Sequence, residues 1–290
     1  MRAVSLHPDV IVVTSAVLHV NCVIVSAAFK DDEAASAARG SLGEPAIAPS
    51  QAPSVAESPR GETFVIDSPV LPDELDALPA LLEQARFPAP SGLLATHGDW
   101  DHLLGRLSFG GVALGVAEST ADRLAAEPGA AQRDLRAFDE ELYIDRPRPL
   151  ALGSLQALPV PGRCEIGGRD LELHPADGHT ADGMAIWMPW ANVLIAGDYL
   201  SKIEIPTLNE GGNVDSYIAT LERLRPLVEQ AEHVVPGHGP VLDGAAALEL
   251  LEEDLAYTRA LEREGADAQL PSYRRSQQQR SLHAENVAAL

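Results

Sequence analysis

Three short apolar runs in this chain end abruptly in clusters of histidine, aspartate and glycine, and no other feature restricts the fold as much. Gly92-Leu93-Leu94-Ala95-Thr96 runs into His97-Gly98-Asp99-Trp100-Asp101-His102, Val193-Leu194-Ile195-Ala196 into Gly197-Asp198, and Val234-Val235-Pro236 into Gly237-His238-Gly239. Short aliphatic runs bounded by glycine or proline read as buried strands. Polar loops at the carboxyl ends of such strands are where α/β folds place their sites.

The rest of the chain supplies the matching layers. Val10 to Phe29 is rich in Val and Ile and reads as two paired strands, and Thr63 to Asp67 as another. From Asp73, Leu75, Leu78, Leu81 and Leu82 recur at helical spacing, as do Ile218, Leu221, Leu224 and Leu227 after Asp215. Further helices are expected over 120–126, 130–142 and 244–264, and strands over 155–158, 170–174 and 184–188. Two layers of strands flanked by helices predict an α/β, four-layer αββα sandwich occupying residues 1–265. Residues 31–61 are rich in Ala, Ser, Pro and Glu and poor in large apolar residues, a composition that predicts a disordered insertion. Residues 266–290 read as a C-terminal tail with a short helix near its end.

The net charge of -22 and a pI near 4.6 disfavour phosphate backbones and anionic lipid surfaces, so neither nucleic acid nor membrane is an expected partner. A small-molecule substrate is expected, and a homo-oligomer is compatible with the composition. Cys22 and Cys164 are too few for a disulfide framework. Thr14, Ser15, His19 and Asn21 interrupt the first apolar run and Asp9 precedes it, which argues against a signal peptide or a membrane span and for a cytoplasmic protein.

His97, His102, His179 and His238 with Asp99, Asp101 and Asp198 offer seven N/O ligands, enough for two divalent ions with three protein ligands each and one bridge. Alternate residues His97, Asp99 and Asp101 are expected on one side of an extended loop, with His102 pointing the other way. The pattern His97-Gly98-Asp99-Trp100-Asp101-His102, Gly178-His179-Thr180, Gly197-Asp198 and Gly237-His238 resembles the metallo-β-lactamase-fold hydrolases, whose signature is His-x-His-x-Asp-His, a lone His, a strand-end Asp and a Gly-His in that order. The resemblance covers about Val10 to Glu264. It implies an αββα sandwich with its site on one edge, a first metal on His97, Asp99 and His179, a second on Asp101, His102 and His238, and Asp198 as the bridge.

Asp99 departs from that signature, which has His at this position. An additional oxygen ligand shifts preference from zinc, the expected metal, toward iron or manganese. With a bridging hydroxide, three carboxylates balance the charge of two divalent ions, so the cluster would be neutral. The resemblance implies a metal-dependent hydrolase in which the bridging hydroxide attacks an ester, thioester, lactone or amide, with Asp101 or Asp198 handling its proton. The alternatives are a non-haem iron oxygenase or oxidase of the persulfide dioxygenase or flavodiiron type, and a non-catalytic metal-binding scaffold. Tyr199 and Lys202 are the candidate substrate contacts, against packing for the tyrosine and simple solvation for the lysine. Asp67 reads as an outer partner of the site or a strand-end turn residue, and Trp100 as packing. His283 and Asn286 share a face of the expected terminal helix, which could fold over the cleft.

Overall fold

The computed structural model describes residues 1–29 and 61–290. The disordered insertion expected at 31–61 therefore lies outside the described residues, except for Gly61. Seven strands form the first sheet in the order β1 (Arg2–His7), β2 (Val10–Thr14), β3 (Asn21–Ala28), β4 (Gly61–Ile66), β5 (Gly92–Leu94), β6 (Leu114–Ala117), β7 (Leu155–Leu158). The first four are antiparallel neighbours and the last three continue the sheet in parallel. The second sheet has β8 (Gly162–Ile166), β9 (Arg169–Pro175), β10 (Met184–Met188), β11 (Val193–Gly197), β12 (His233–Pro236) and β13 (Leu242–Asp243) side by side in that order. Within it, only β11 and β12 run parallel.

Strand alternation decides which residue meets which layer. Val10, Val12, Val23 and Val25 pack between the sheets against Leu171, Leu173, Met184, Ile186 and Ile195. Their neighbours Val13, Cys22 and Ile24 point outward, into a layer formed by Leu75, Leu78 and Leu82 of α1 (Pro72–Ala85) and Leu135 of α4 (Ala130–Leu142). On the far face, Trp187, Leu194 and Val234 pack against Leu221 and Leu224 of α5 (Val214–Val228) and Leu250, Leu251 and Leu255 of α6 (Gly244–Glu264). The layers are thus helix, sheet, sheet, helix, as the sequence predicts. α2 (Gly105–Ser108) and α3 (Glu118–Ala126) complete the first helical layer. Strands β1, β6, β8 and β13 are additions to the elements read from the sequence, so Val234–Pro236 is not the last strand. Among the described residues, no helix is long and apolar enough to cross a membrane.

The C-terminal segment forms α7 (Gln277–Ala288), capped by Ser276, whose hydroxyl accepts from Gln279 N. It packs on the second sheet's helical layer through Leu282 and Val287.

Candidate metal centre

All four polar clusters emerge on one edge of the sandwich, where hydrogen bonds join the two sheets. Met184 N donates to Thr96 O at 2.7 Å, and Asn21 N donates to Gly237 O at 2.8 Å. The Asn21 side chain adds two bonds of 2.8 Å, to Pro236 O and Gly239 O, so β3 holds both sides of the His238 turn.

The loop after β5 does not stay extended, as its alternation suggests. It tightens into a 3-10 turn at Trp100–His102, which carries Asp101 and His102 toward His238 while the His102 ring stays beside that of His97, centroids 4.2 Å apart. Two triads result: His97, Asp99 and His179 on one side, Asp101, His102 and His238 on the other, with the ligand atoms of each triad within 4.8 Å of one another. Asp198 stands between them. Its Oδ1 lies 3.3 Å from His102 Nε2, and its Oδ2 lies 3.3 Å from both His179 Nε2 and His238 Nε2 and 3.7 Å from His97 Nε2. Gly237 makes this close approach possible, because a Cβ there would overlap Asp198 Oδ1.

Each imidazole turns Nε2 inward because its Nδ1 is engaged outside. His238 Nδ1 lies 2.8 Å from Leu18 O, and His179 Nδ1 lies 3.0 Å from both Thr207 O and Thr207 Oγ1. His97 Nδ1 lies 3.1 Å from Thr96 Oγ1, which donates in turn to Asp67. His102 Nδ1 is 3.1 Å from Asp67 Oδ2, an ion-pair contact without hydrogen-bond geometry. Such outer partners fix tautomer and ring orientation in metal sites. Asp67 is both things the sequence left open: it turns the chain after β4 with a φ of 57° and it supports two of the candidate ligand histidines. Asp67→Ala should therefore weaken metal binding about 10- to 100-fold, as measured by competition with a chelator. Affinity unchanged within twofold would remove this supporting role.

Charge is concentrated in this edge. Burial works to lower the pKa of His102, but Asp67, Asp198 and Asp101 together raise it well above the ordinary value. His179 is raised against the same burial cost by Asp99 and Asp198. His238 is pushed up to about 10, the pull of Asp198 overcoming desolvation. Burial by itself would raise Asp198, yet His238, His102 and His97 hold it well below the usual carboxylate range. Among the described residues, His97 Nε2, His102 Nε2 and Asp198 Oδ1 are buried with no hydrogen-bond partner. Converging imidazole nitrogens and carboxylate oxygens of this kind fit divalent cations and little else.

The structure also supplies residues that no motif pointed to. Arg123 of α3 lies against Asp99 and Asp182, each at 2.8 Å, and this arginine–aspartate pair adds no net charge to the count of three carboxylates. Asn209 donates to Asp99 Oδ2 at 3.0 Å. A cavity of about 260 Å³ opens beside Asp99, lined also by Trp100, Arg123, Asn209 and Glu210. Only Asp182, three residues after His179, had a sequence signal in being a carboxylate close to a ligand.

Tyr199 takes the packing alternative. It is 2% exposed, and its hydroxyl accepts from His179 N and donates to Asp177 O. Lys202 is exposed on the loop after Asp198. Trp100 packs on Phe138 with ring centroids 4.7 Å apart. The terminal helix does not lie across the cleft with a free face: His283 Nδ1 meets Tyr257 Oη at 2.9 Å, and Asn286 is buried against Pro206 and Leu208. Among the described residues, His7, His19, His174 and His233 enter neither triad.

The family model of the metallo-beta-lactamase superfamily matches residues 55–238. The chain belongs to that superfamily. Among curated relatives, a Beta-lactamase-like protein 2 homolog of Caenorhabditis elegans is 31% identical over 34% of this chain and 31% of its own length. A Metallo-beta-lactamase type 2 of Bacillus sp. (strain 170) is 26% identical over 47% of this chain and 55% of its own. The chain thus spans from about a third to about half the length of these relatives. Solved structures share the fold at low identity. A metallo-beta-lactamase family protein from Thermus thermophilus has a TM-score of 0.62 at 20% identity, covering 89% of this chain and 82% of that one. A metallo-beta-lactamase from Pontibacter korlensis has a TM-score of 0.57 at 19% identity, covering 87% and 98%. TTHA1623, solved in a di-iron-bound form, has a TM-score of 0.53 at 20% identity, covering 82% and 96%. As a superfamily member, the chain carries the metallo-beta-lactamase fold, and its structure holds candidate His and Asp metal-ligand groups.

Proposed function

We propose that this protein is a binuclear metal-dependent hydrolase acting on an ester, thioester, lactone or amide bond of a small molecule, with zinc the first candidate and iron or manganese admitted by Asp99. The observation that carries the proposal is the pair of triads closing on Asp198. His97, Asp99 and His179 would hold one ion, Asp101, His102 and His238 the other, and Asp198 would touch both. When bound, such ions polarise a carbonyl and lower the pKa of a water molecule. The Nε2 atoms, held inward by the outer partners of each ring, would supply the nitrogen ligands of both ions. Asp101 and Asp198, whose oxygens lie among these nitrogens, are placed to take up and orient a proton. The cavity beside Asp99 gives a substrate room next to the first triad. A non-haem iron oxygenase or oxidase of the persulfide dioxygenase or flavodiiron type is the second reading, favoured by the oxygen-rich ligand set.

A panel of esters, thioesters, lactones and amides, assayed with zinc, iron or manganese restored after chelation, tests the proposal. Hydrolysis restored by metal supports it; oxygen consumption without hydrolysis by the iron form favours the second reading; metal binding with neither activity leaves a scaffold. Metal uptake should also release protons. His102, His179 and His238 have raised pKa values, so below those values an ion must displace protons to reach Nε2. Apparent affinity should therefore rise with pH from 6 to 8, and calorimetry in buffers of different ionisation enthalpy should register the release. Uptake without proton release would contradict this state of the cluster.

A further inference from the structure

We infer that Arg123 is the positioning residue for the first metal ligand set, acting on Asp99 through a two-armed clamp; the inference rests on the metal-centre reading above. Arg123 Nη2 meets Asp99 Oδ1 at 2.8 Å, and Nη1 meets Asp182 Oδ1 at 2.8 Å. The other oxygen of Asp182 accepts Gly98 N at 2.9 Å. One guanidinium therefore ties the ligand side chain of Asp99 and the backbone just before it to α3. Asp182 is 1% exposed, so the clamp is anchored inside the protein.

The consequence for Asp99 is geometric. An aspartate can rotate or bind a cation through both oxygens, whereas an imidazole offers one nitrogen in a fixed plane. With Oδ1 held by Arg123, only Oδ2 faces the cluster, 3.7 Å from His97 Nε2 and 3.6 Å from His179 Nε2. Asn209 touches that same Oδ2 from the opposite loop. The clamp makes a carboxylate behave as a one-atom ligand at a position where the signature has a histidine. Substrate anion binding is a poor role for this arginine, because both arms already carry carboxylates and Glu210 Oε2 stands 3.7 Å from Nη2. A lysine would not replace it, since a single ammonium lacks the planar fork that reaches two carboxylates in fixed directions.

Metal titration of Arg123→Gln with zinc and with manganese tests the assignment. The expected result is a first-site dissociation constant raised about 10- to 100-fold, the range for loss of an outer partner, with second-site affinity retained. Arg123→Lys should restore little of it. The decisive arm is Asp99→His: in that background Arg123→Gln should change first-site affinity less than threefold, because the imidazole does not need the clamp. A purely structural arginine would cost the same in both backgrounds. Should Arg123→Gln fail to fold, Arg123→Gln/Asp182→Asn removes the uncompensated buried carboxylate and is titrated instead. Two ions held by the clamp-less variant with wild-type affinity would overturn the inference while leaving the metal centre standing. A wild-type chain that binds no ion would overturn the metal-centre reading itself.

Discussion

Asp198→Ala should remove the second ion altogether and reduce hydrolysis by at least about a thousandfold, roughly 4 kcal/mol of transition-state stabilisation. The size follows from position. Asp198 is the one carboxylate whose two oxygens face both triads, within 3.3 Å of His102, His179 and His238. Without it, two divalent ions would repel each other across a gap that no anion of the protein fills, while the inward imidazoles keep their raised affinity for protons only in part. Asp198→Asn separates shape from charge: it preserves packing against Gly197 and Gly237 and should still lose the second ion. Retention of two tightly held ions by either variant would show that Asp198 is not shared.

Arg274→Ala should cost about 3–5 kcal/mol of folding stability, the range for removing one partner of a buried ion pair. Arg274 is 2% exposed and Asp254 1%, and they meet at 2.6 Å. The same guanidinium donates to Ser201 O at 3.2 Å and to Glu204 O at 2.8 Å. It therefore fastens the loop after Asp198 to α6, and the residues beyond it continue the work: Gln279 donates to Ile203 O, while Asn286 donates to Pro206 O and accepts from Leu208 N. Thr207, which holds His179, sits inside this fastened stretch. Urea unfolding measures the effect, and a loss below about 1 kcal/mol would show that the pair is not integral to the fold. The tail is thus part of the scaffold behind the site.

How far the sequence reveals this molecule depends on how local the signal is. Central strands such as Asn21–Ala28, Met184–Met188 and Val193–Gly197 are buried along nearly their whole length, so apolar runs betray them. Strand β1 is exposed along most of its length and β8 alternates exposed with half-buried residues, each at a sheet edge, so neither shows an apolar run. The seven ligand candidates are legible because each follows a strand and glycine marks the turns. Their partners are not. Arg123 reaches Asp99 from a separate helix, Asn21 reaches the His238 turn from another sheet, and Asn286 reaches the residues flanking Thr207, in the loop after Asp198, from the far end of the chain. Such pairings arise only once the layers close. The choice between substrate contact and packing for Tyr199 is likewise not local: its hydroxyl bonds Asp177 O and His179 N and its ring centroid lies 4.6 Å from that of Tyr217 in α5.

The most direct measurement of the central claim is the number of metal ions bound per chain, read by elemental analysis of the purified protein and by titration after chelation. Two ions per chain, falling to one in Asp99→Ala with the second site intact, is the predicted result. No bound metal, with no uptake of zinc, iron or manganese, would contradict it.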